Sequence, residues 1–141
     1  MLRPTARQPN PCVGLDEAAG VPDGGGGLGR GGPEDRDLVC SEHRTINGFA
    51  HTDLDLLLGQ HGVENSILAG MTAPGCVEGT GRGAVELGYT VTLLRDATAA
   101  CSPELLQAAH EHTGALWANA TITTDELIAA LPASIVERNR R

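Results

Sequence analysis

Lysine is absent: all ten basic residues of the 141-residue chain are arginine. That excludes a lysine-bearing phosphate loop, a Schiff-base lysine and a lysine general base, whatever the fold. Basic residues are also outnumbered, since 18 acidic side chains leave a net charge of −8 at pH 7. A surface for nucleic acid or an anionic membrane needs the opposite balance. Aromatics are nearly missing, Phe49, Tyr89 and Trp117 being the only three, so Leu, Val, Ile and Ala must build the core. No run of 18 apolar residues occurs and the N-terminus lacks a signal-type apolar stretch, which reads as a single cytoplasmic domain. The four cysteines (Cys12, Cys40, Cys76, Cys101) make no C-x-x-C pair and no dense scaffold, so free thiols are expected.

Glycine and proline are unevenly spread. Residues 1–36 hold 9 of the 19 glycines and 5 of the 8 prolines, with no helical or strand period among the apolar positions. Such a segment buries too little surface to offset its ordering entropy and reads as disordered. Gly24, Gly26 and Gly29 satisfy G-x-G-x-x-G in spacing, but no strand precedes them and no helix follows, so no dinucleotide cofactor is expected.

From Asp37 onward the pattern becomes periodic. Residues 37–40 form a short strand candidate. Thr52 is placed to cap a helix through Gln60 with Leu54, Leu57 and Leu58 on one face. Residues 66–70 read as a buried strand, Cys76–Leu87 as a helix closed by Gly88, and Thr90–Leu94 as the next strand. Ser102 and Pro103 open a helix to Thr113. Trp117–Ile122 reads as a strand, and Thr123-x-x-Glu126 is a capping box opening a helix to Leu131. Strands alternating with helices predict an α/β, Rossmann-like three-layer α/β/α fold over residues 37–131, with a mainly parallel sheet and the strand at Ile67 near its centre. Residues 132–141 read as a solvated tail.

In open α/β sheets, ligands bind beyond the carboxyl ends of the strands. The strand ending at Gly70 leads through Met71-Thr72-Ala73-Pro74-Gly75 to Cys76, which falls at a helix start on that edge. Backbone N–H groups and the helix dipole there favour a thiolate, and the same N–H groups can hold a developing oxyanion. Cys76 is thus a candidate nucleophile, set against the plainer reading of a small residue packed at a tight turn. His110 and His112, two apart on a helix, cannot share an ion. No metal ligand set stands out, and Asp96 reads as a partner for loop backbone.

The run Gly70-Met71-Thr72-Ala73-Pro74-Gly75-Cys76-Val77-Glu78-Gly79-Thr80-Gly81-Arg82-Gly83-Ala84 resembles the nucleophile motif of the isochorismatase-like cysteine hydrolases. Leu87-Gly88-Tyr89 and Asp96-Ala97-Thr98-Ala99-Ala100 follow at the family's spacing. Upstream, His43-Arg44 with Asn47-Gly48-Phe49-Ala50-x-Thr52-Asp53-Leu54-Asp55 resembles the segment ahead of the same helix. The resemblance covers residues 37–131. It implies hydrolysis of a C–N, amide-type bond of a small molecule, with Cys76 as nucleophile, the N–H groups of Thr72 and Cys76 as oxyanion hole, and a cis peptide at Met71–Thr72. It implies no cofactor, and the metal-binding segment of the nicotinamidase branch has no counterpart here.

Two departures accompany it. The family's activating lysine falls on His43, or on Glu42 if Thr45 is an insertion; of the two, His43 can act as a base. No apolar strand ending in aspartate occurs in residues 1–36, so the sheet is expected to lack the family's first two strands. Gly79, Gly81 and Gly83 should each weaken the nucleophile helix by about 1 kcal/mol relative to alanine. The expected partner is a small-molecule substrate rather than nucleic acid or membrane, a homo-oligomer is left open, and a catalytically inactive binding module is the alternative function.

Overall fold

A computed structural model of the chain describes residues 37–132; the segment 1–36, expected to be disordered, and most of the tail lie outside the described residues. The chain divides into two units, Met1–Val39 and Cys40–Arg141, and every element below belongs to the second. In order these are α1 (Leu54–Gln60), β1 (Asn65–Met71), a π-helical turn (Ala73–Val77), α2 (Glu78–Glu86), β2 (Thr90–Ala99) and α3 (Pro103–Ala108). A second π turn (Ala109–Thr113), a 3-10 turn (Gly114–Leu116), β3 (Ala120–Ile122) and α4 (Thr124–Ala130) complete them.

The three strands form a parallel sheet in the order β1-β2-β3. The α/β class and parallel pairing follow from strands separated by helical crossovers. The strand at Ile67 is not central, however. Among the described residues β1 is an edge, and it carries Ile67 and Met71 at 47% and 63% exposure. Residues 37–40 are not a strand either, because the described sheet ends at β1 and offers them no ladder.

Local signals explain most of the boundaries. Gly88, at φ +95°, closes α2 in a Schellman arrangement: its N–H donates to the Val85 carbonyl at 3.0 Å, and the Tyr89 N–H to the Ala84 carbonyl at 3.0 Å. Ser102 accepts from the Leu105 N–H ahead of Pro103, and Thr123 with Glu126 completes a reciprocal capping box on α4. Thr52 does not occupy the N-cap position of α1, although its hydroxyl oxygen accepts from the Leu54 N–H at 3.3 Å. Asp53 takes that position while Thr52 Oγ1 donates back to the Gly48 carbonyl at 2.6 Å. The strand expected over 117–122 shrinks to Ala120–Ile122, since Trp117 ends the 3-10 turn and is spent on the core.

That core consists of Val77, Ala84, Val91, Leu93 and Trp117, with Phe49, Leu68, Tyr89 and Ala118 packed against it. Val91 and Leu93 alternate along one face of β2, as a half-covered strand requires. The α2 glycines prove to be packing sites rather than weak points. A Cβ on Gly81 would enter the Trp117 ring, and one on Gly83 would lie 2.6 Å from the Asn47 amide nitrogen. Their propensity cost is exchanged for close approach of the indole to the helix backbone.

Candidate active site

The site is assembled at the β1–α2 junction. Strand β1 ends at Met71, the Met71–Thr72 peptide is cis, and the chain turns through Ala73–Val77 into α2. The Thr72 carbonyl organises this turn by accepting from the N–H groups of Gly75 at 3.0 Å and Val77 at 3.2 Å. Gly75 is required by proximity: a Cβ there would lie 2.7 Å from the Thr72 hydroxyl oxygen. Cys76 therefore sits inside a π-helical turn that precedes α2, not at the first residue of an α-helix as the sequence suggested. The turn is wider because the Thr72 carbonyl reaches five residues ahead to Val77. Among the described residues, neither the Thr72 nor the Cys76 N–H donates to a carbonyl outside its own helical turn.

Cys76 is half-buried and its thiol is free. It lines a cavity of about 140 Å³ with His43, Leu68, Ala69, Met71, Val77 and Thr80. The chemistry-bearing groups are thus a thiol, an imidazole and a hydroxyl on an otherwise apolar wall. Glu42, the other candidate for the same role, lines a different cleft with Ser41, Arg44 and His51. The separation arises in the irregular segment before α1. Asp53 Oδ1 accepts from both the Ser41 N–H at 2.7 Å and the Ser41 hydroxyl at 2.9 Å, and these bonds hold its carboxyl below the usual carboxylate range. Two residues on, His43 Nδ1 meets the Thr45 carbonyl. A carbonyl can only accept, so Nδ1 carries the proton and Nε2 of the neutral ring keeps its lone pair.

Thr80 escaped the sequence reading, although it stands four residues after Cys76 and so on the same helix face. Its hydroxyl accepts from the Gly48 N–H at 2.9 Å, tying the loop before α1 to the nucleophile helix. Leu68 was equally hidden, since only the end of β1 brings it to the thiol; Met71, expected for its cis peptide, adds its side chain to the same wall.

The remaining candidates lie apart from this cavity. Asp96 sits where β2 loses register with β1, between the pairs Leu68↔Leu93 and Gly70↔Thr98. It accepts from the Thr124 hydroxyl at 2.7 Å and the Thr124 N–H at 2.9 Å, which hold its carboxyl below the usual range. Its position at the start of α4 also complements the helix dipole. Cys101 is disulfide-bonded, a correction to the expectation of free thiols, while Cys40 and Cys76 are free. Scattered spacing in a sequence does not reveal which sulfurs meet in space.

Residues 29–126 match the Isochorismatase domain family, more than half of the chain. Over 77 residues the chain is 39% identical to ureidoacrylate amidohydrolase RutB of an Enterobacter species, covering 55% of this chain and 33% of that protein. Its fold is similar to an isochorismatase-like hydrolase from Alkaliphilus metalliredigens (TM-score 0.66, 31% identity, 70% of this chain and 52% of the other). It is also similar to a pyrazinamidase/nicotinamidase from Streptococcus mutans (TM-score 0.53, 34% identity, 57% and 44%). The chain spans about a third of that curated relative and about half of these structures. With the cysteine turn, the parallel sheet and the matched span in agreement, this chain belongs to the isochorismatase family.

Proposed function

We propose that the chain carries the nucleophile side of a cysteine hydrolase that cleaves the C–N bond of a small amide. The observation that carries this reading is the shared cavity of Cys76 and His43 at the turn that also bears the N–H groups of Thr72 and Cys76. His43 Nε2 takes the Sγ proton, and the thiolate attacks the carbonyl carbon. The resulting oxyanion is held by the two N–H groups, a contribution of about 3–4 kcal/mol per donor where such donors have been removed. Collapse expels the amine, which takes the proton from His43, and leaves a thioester on Cys76. Water, deprotonated by His43, then releases the carboxylic acid and restores the thiol. His43 replaces the lysine that this composition lacks.

A second reading is a module that binds its ligand without turnover. It is favoured by the exposed edge strand β1, which leaves the cavity open on one flank among the described residues. Ammonia release from small amides, measured for the full chain and for Cys76→Ala, separates the two. Weak release abolished by Cys76→Ala supports the hydrolase. No release from chain whose Cys76 still alkylates supports the binding module, and release that survives Cys76→Ala overturns both roles assigned to the thiol.

A further inference from the structure

A second cleft, about 510 Å³, opens on the other side of β2, between α3 with its π turn and the strands. It shares no lining residue with the Cys76 cavity. A volume of this size suits a small organic ligand. Pro103 and Leu106 supply an apolar wall, and Arg95, Gln107, His110 and Glu111 supply polar groups.

The hydrogen-bonding state of each polar group can be worked out. Among the described residues Arg95 meets one carboxylate, Glu126, at 3.9 Å. The same Glu126 oxygen already accepts from the Thr123 N–H at 2.7 Å and the Thr123 hydroxyl at 3.0 Å. The guanidinium therefore keeps most of its five donors for another acceptor. The Thr98 hydroxyl donates to the Arg95 carbonyl at 3.3 Å, so its oxygen accepts from His110 Nε2 at 2.7 Å. That leaves His110 Nδ1 as an acceptor in the neutral ring. Burial, and then the charge of Arg95, hold this imidazole below the usual histidine value, which keeps it neutral at pH 7. Glu111 gives one carboxylate oxygen to Gln107 Nε2 at 3.0 Å and retains the other.

We propose that this cleft binds a small amino acid-type ligand, its carboxylate on Arg95, its N–H donor group toward Glu111 and His110 Nδ1, and its hydrocarbon against Leu106 and Pro103. A guanidinium favours a carboxylate because the two planar groups pair through parallel hydrogen bonds. The acceptors that share the cleft select against a simple fatty acid, and a guanidinium left without its carboxylate selects against a simple amine.

The test is titration of the full chain with 4-aminobutyrate, butyrate and butylamine, followed by amide and imidazole NMR shifts. Saturable shifts at Gln107, His110 and Glu111 are expected, strongest for 4-aminobutyrate. Arg95→Met should weaken its binding by at least about tenfold, the scale of one charge-assisted pair. Glu111→Gln should keep binding but remove the preference over butyrate, and Cys76→Ala should change nothing, which separates this site from the proposed hydrolysis. Arg95 and Glu111 are both exposed, so both variants should keep the dispersed spectrum of the folded chain. Equal binding of butylamine, full binding by Arg95→Met, or no saturable shift in these residues would overturn the proposal.

Discussion

Adding one methyl group at Gly81 tests the packing that positions the nucleophile helix. Alanine is favoured over glycine inside a helix by about 1 kcal/mol. Against this, the new Cβ would lie 2.5 Å from Trp117 Cε3 and 2.7 Å from Cη2. Carbon atoms rest about 3.5–4.0 Å apart and Cζ3 would be closer still, so the ring must retreat by well over 1 Å. It has little room, being 7% exposed and packed with Val77, Ala84, Val91 and Leu93. Overpacking of this kind costs about 1–3 kcal/mol, occasionally more. With a contact this short the cost falls at the upper end of that range, so Gly81→Ala should destabilise the domain by about 2 kcal/mol net of propensity. Gly59→Ala is the control: a Cβ there meets nothing within 4 Å, and this variant should be stabilised by up to about 1 kcal/mol. Urea unfolding followed by fluorescence reads both, because Trp117 is the only tryptophan and lies at the contact in question. The opposed signs are the signature. A neutral or stabilised Gly81→Ala would mean that the indole does not rest on α2.

Other outcomes follow from the same contacts. The carboxyls of Asp96 and Glu126 are held below their usual range by Thr124 and Thr123 respectively. Their stabilisation is present above the unfolded values and is lost as pH falls from about 4 through the lower folded values. Asp96→Asn should therefore flatten the acid limb of a stability–pH curve, whereas an unchanged limb would show that the Thr124 bonds contribute nothing. Thr123→Ala removes the α4 cap and should cost about 1 kcal/mol in urea unfolding, with loss confined to hydrogen exchange in α4 if that helix frays locally. Iodoacetamide labelling followed by mass spectrometry should modify Cys76 faster than Cys40; equal rates would show that its place at the strand-to-helix turn gives the thiol no advantage.

The fold was legible where the signal is local, and less so where it depends on a neighbour. The Thr123–Glu126 box, the Ser102-Pro103 start and Gly88 satisfy or terminate helix ends with their own side chains or backbone, so six residues suffice to read them. Trp117 shows the opposite case. Its neighbours look like strand, but the ring is drawn onto Gly81, thirty-six positions away, and β3 starts three residues later. The start of α1 was legible only in part: Thr52 serves the Leu54 N–H, but the N-cap position falls to Asp53, whose carboxylate is held by Ser41, twelve residues upstream. The position of Cys76 at the strand-to-helix turn could be read from the pattern around it. The choice between Glu42 and His43 could not, since it depends on how an irregular loop is folded by Asp53 and Thr45.

The most direct test of Cys76 as nucleophile is its capture as an acyl adduct. The full chain is treated with p-nitrophenyl acetate, and nitrophenolate release and the modified residue are followed together. A burst of nitrophenolate is expected, with the acetyl group on Cys76 as a thioester, slowed by His43→Gln and absent from Cys76→Ala. Acetylation of Cys40 at the same rate, or a burst that persists in Cys76→Ala, would contradict it.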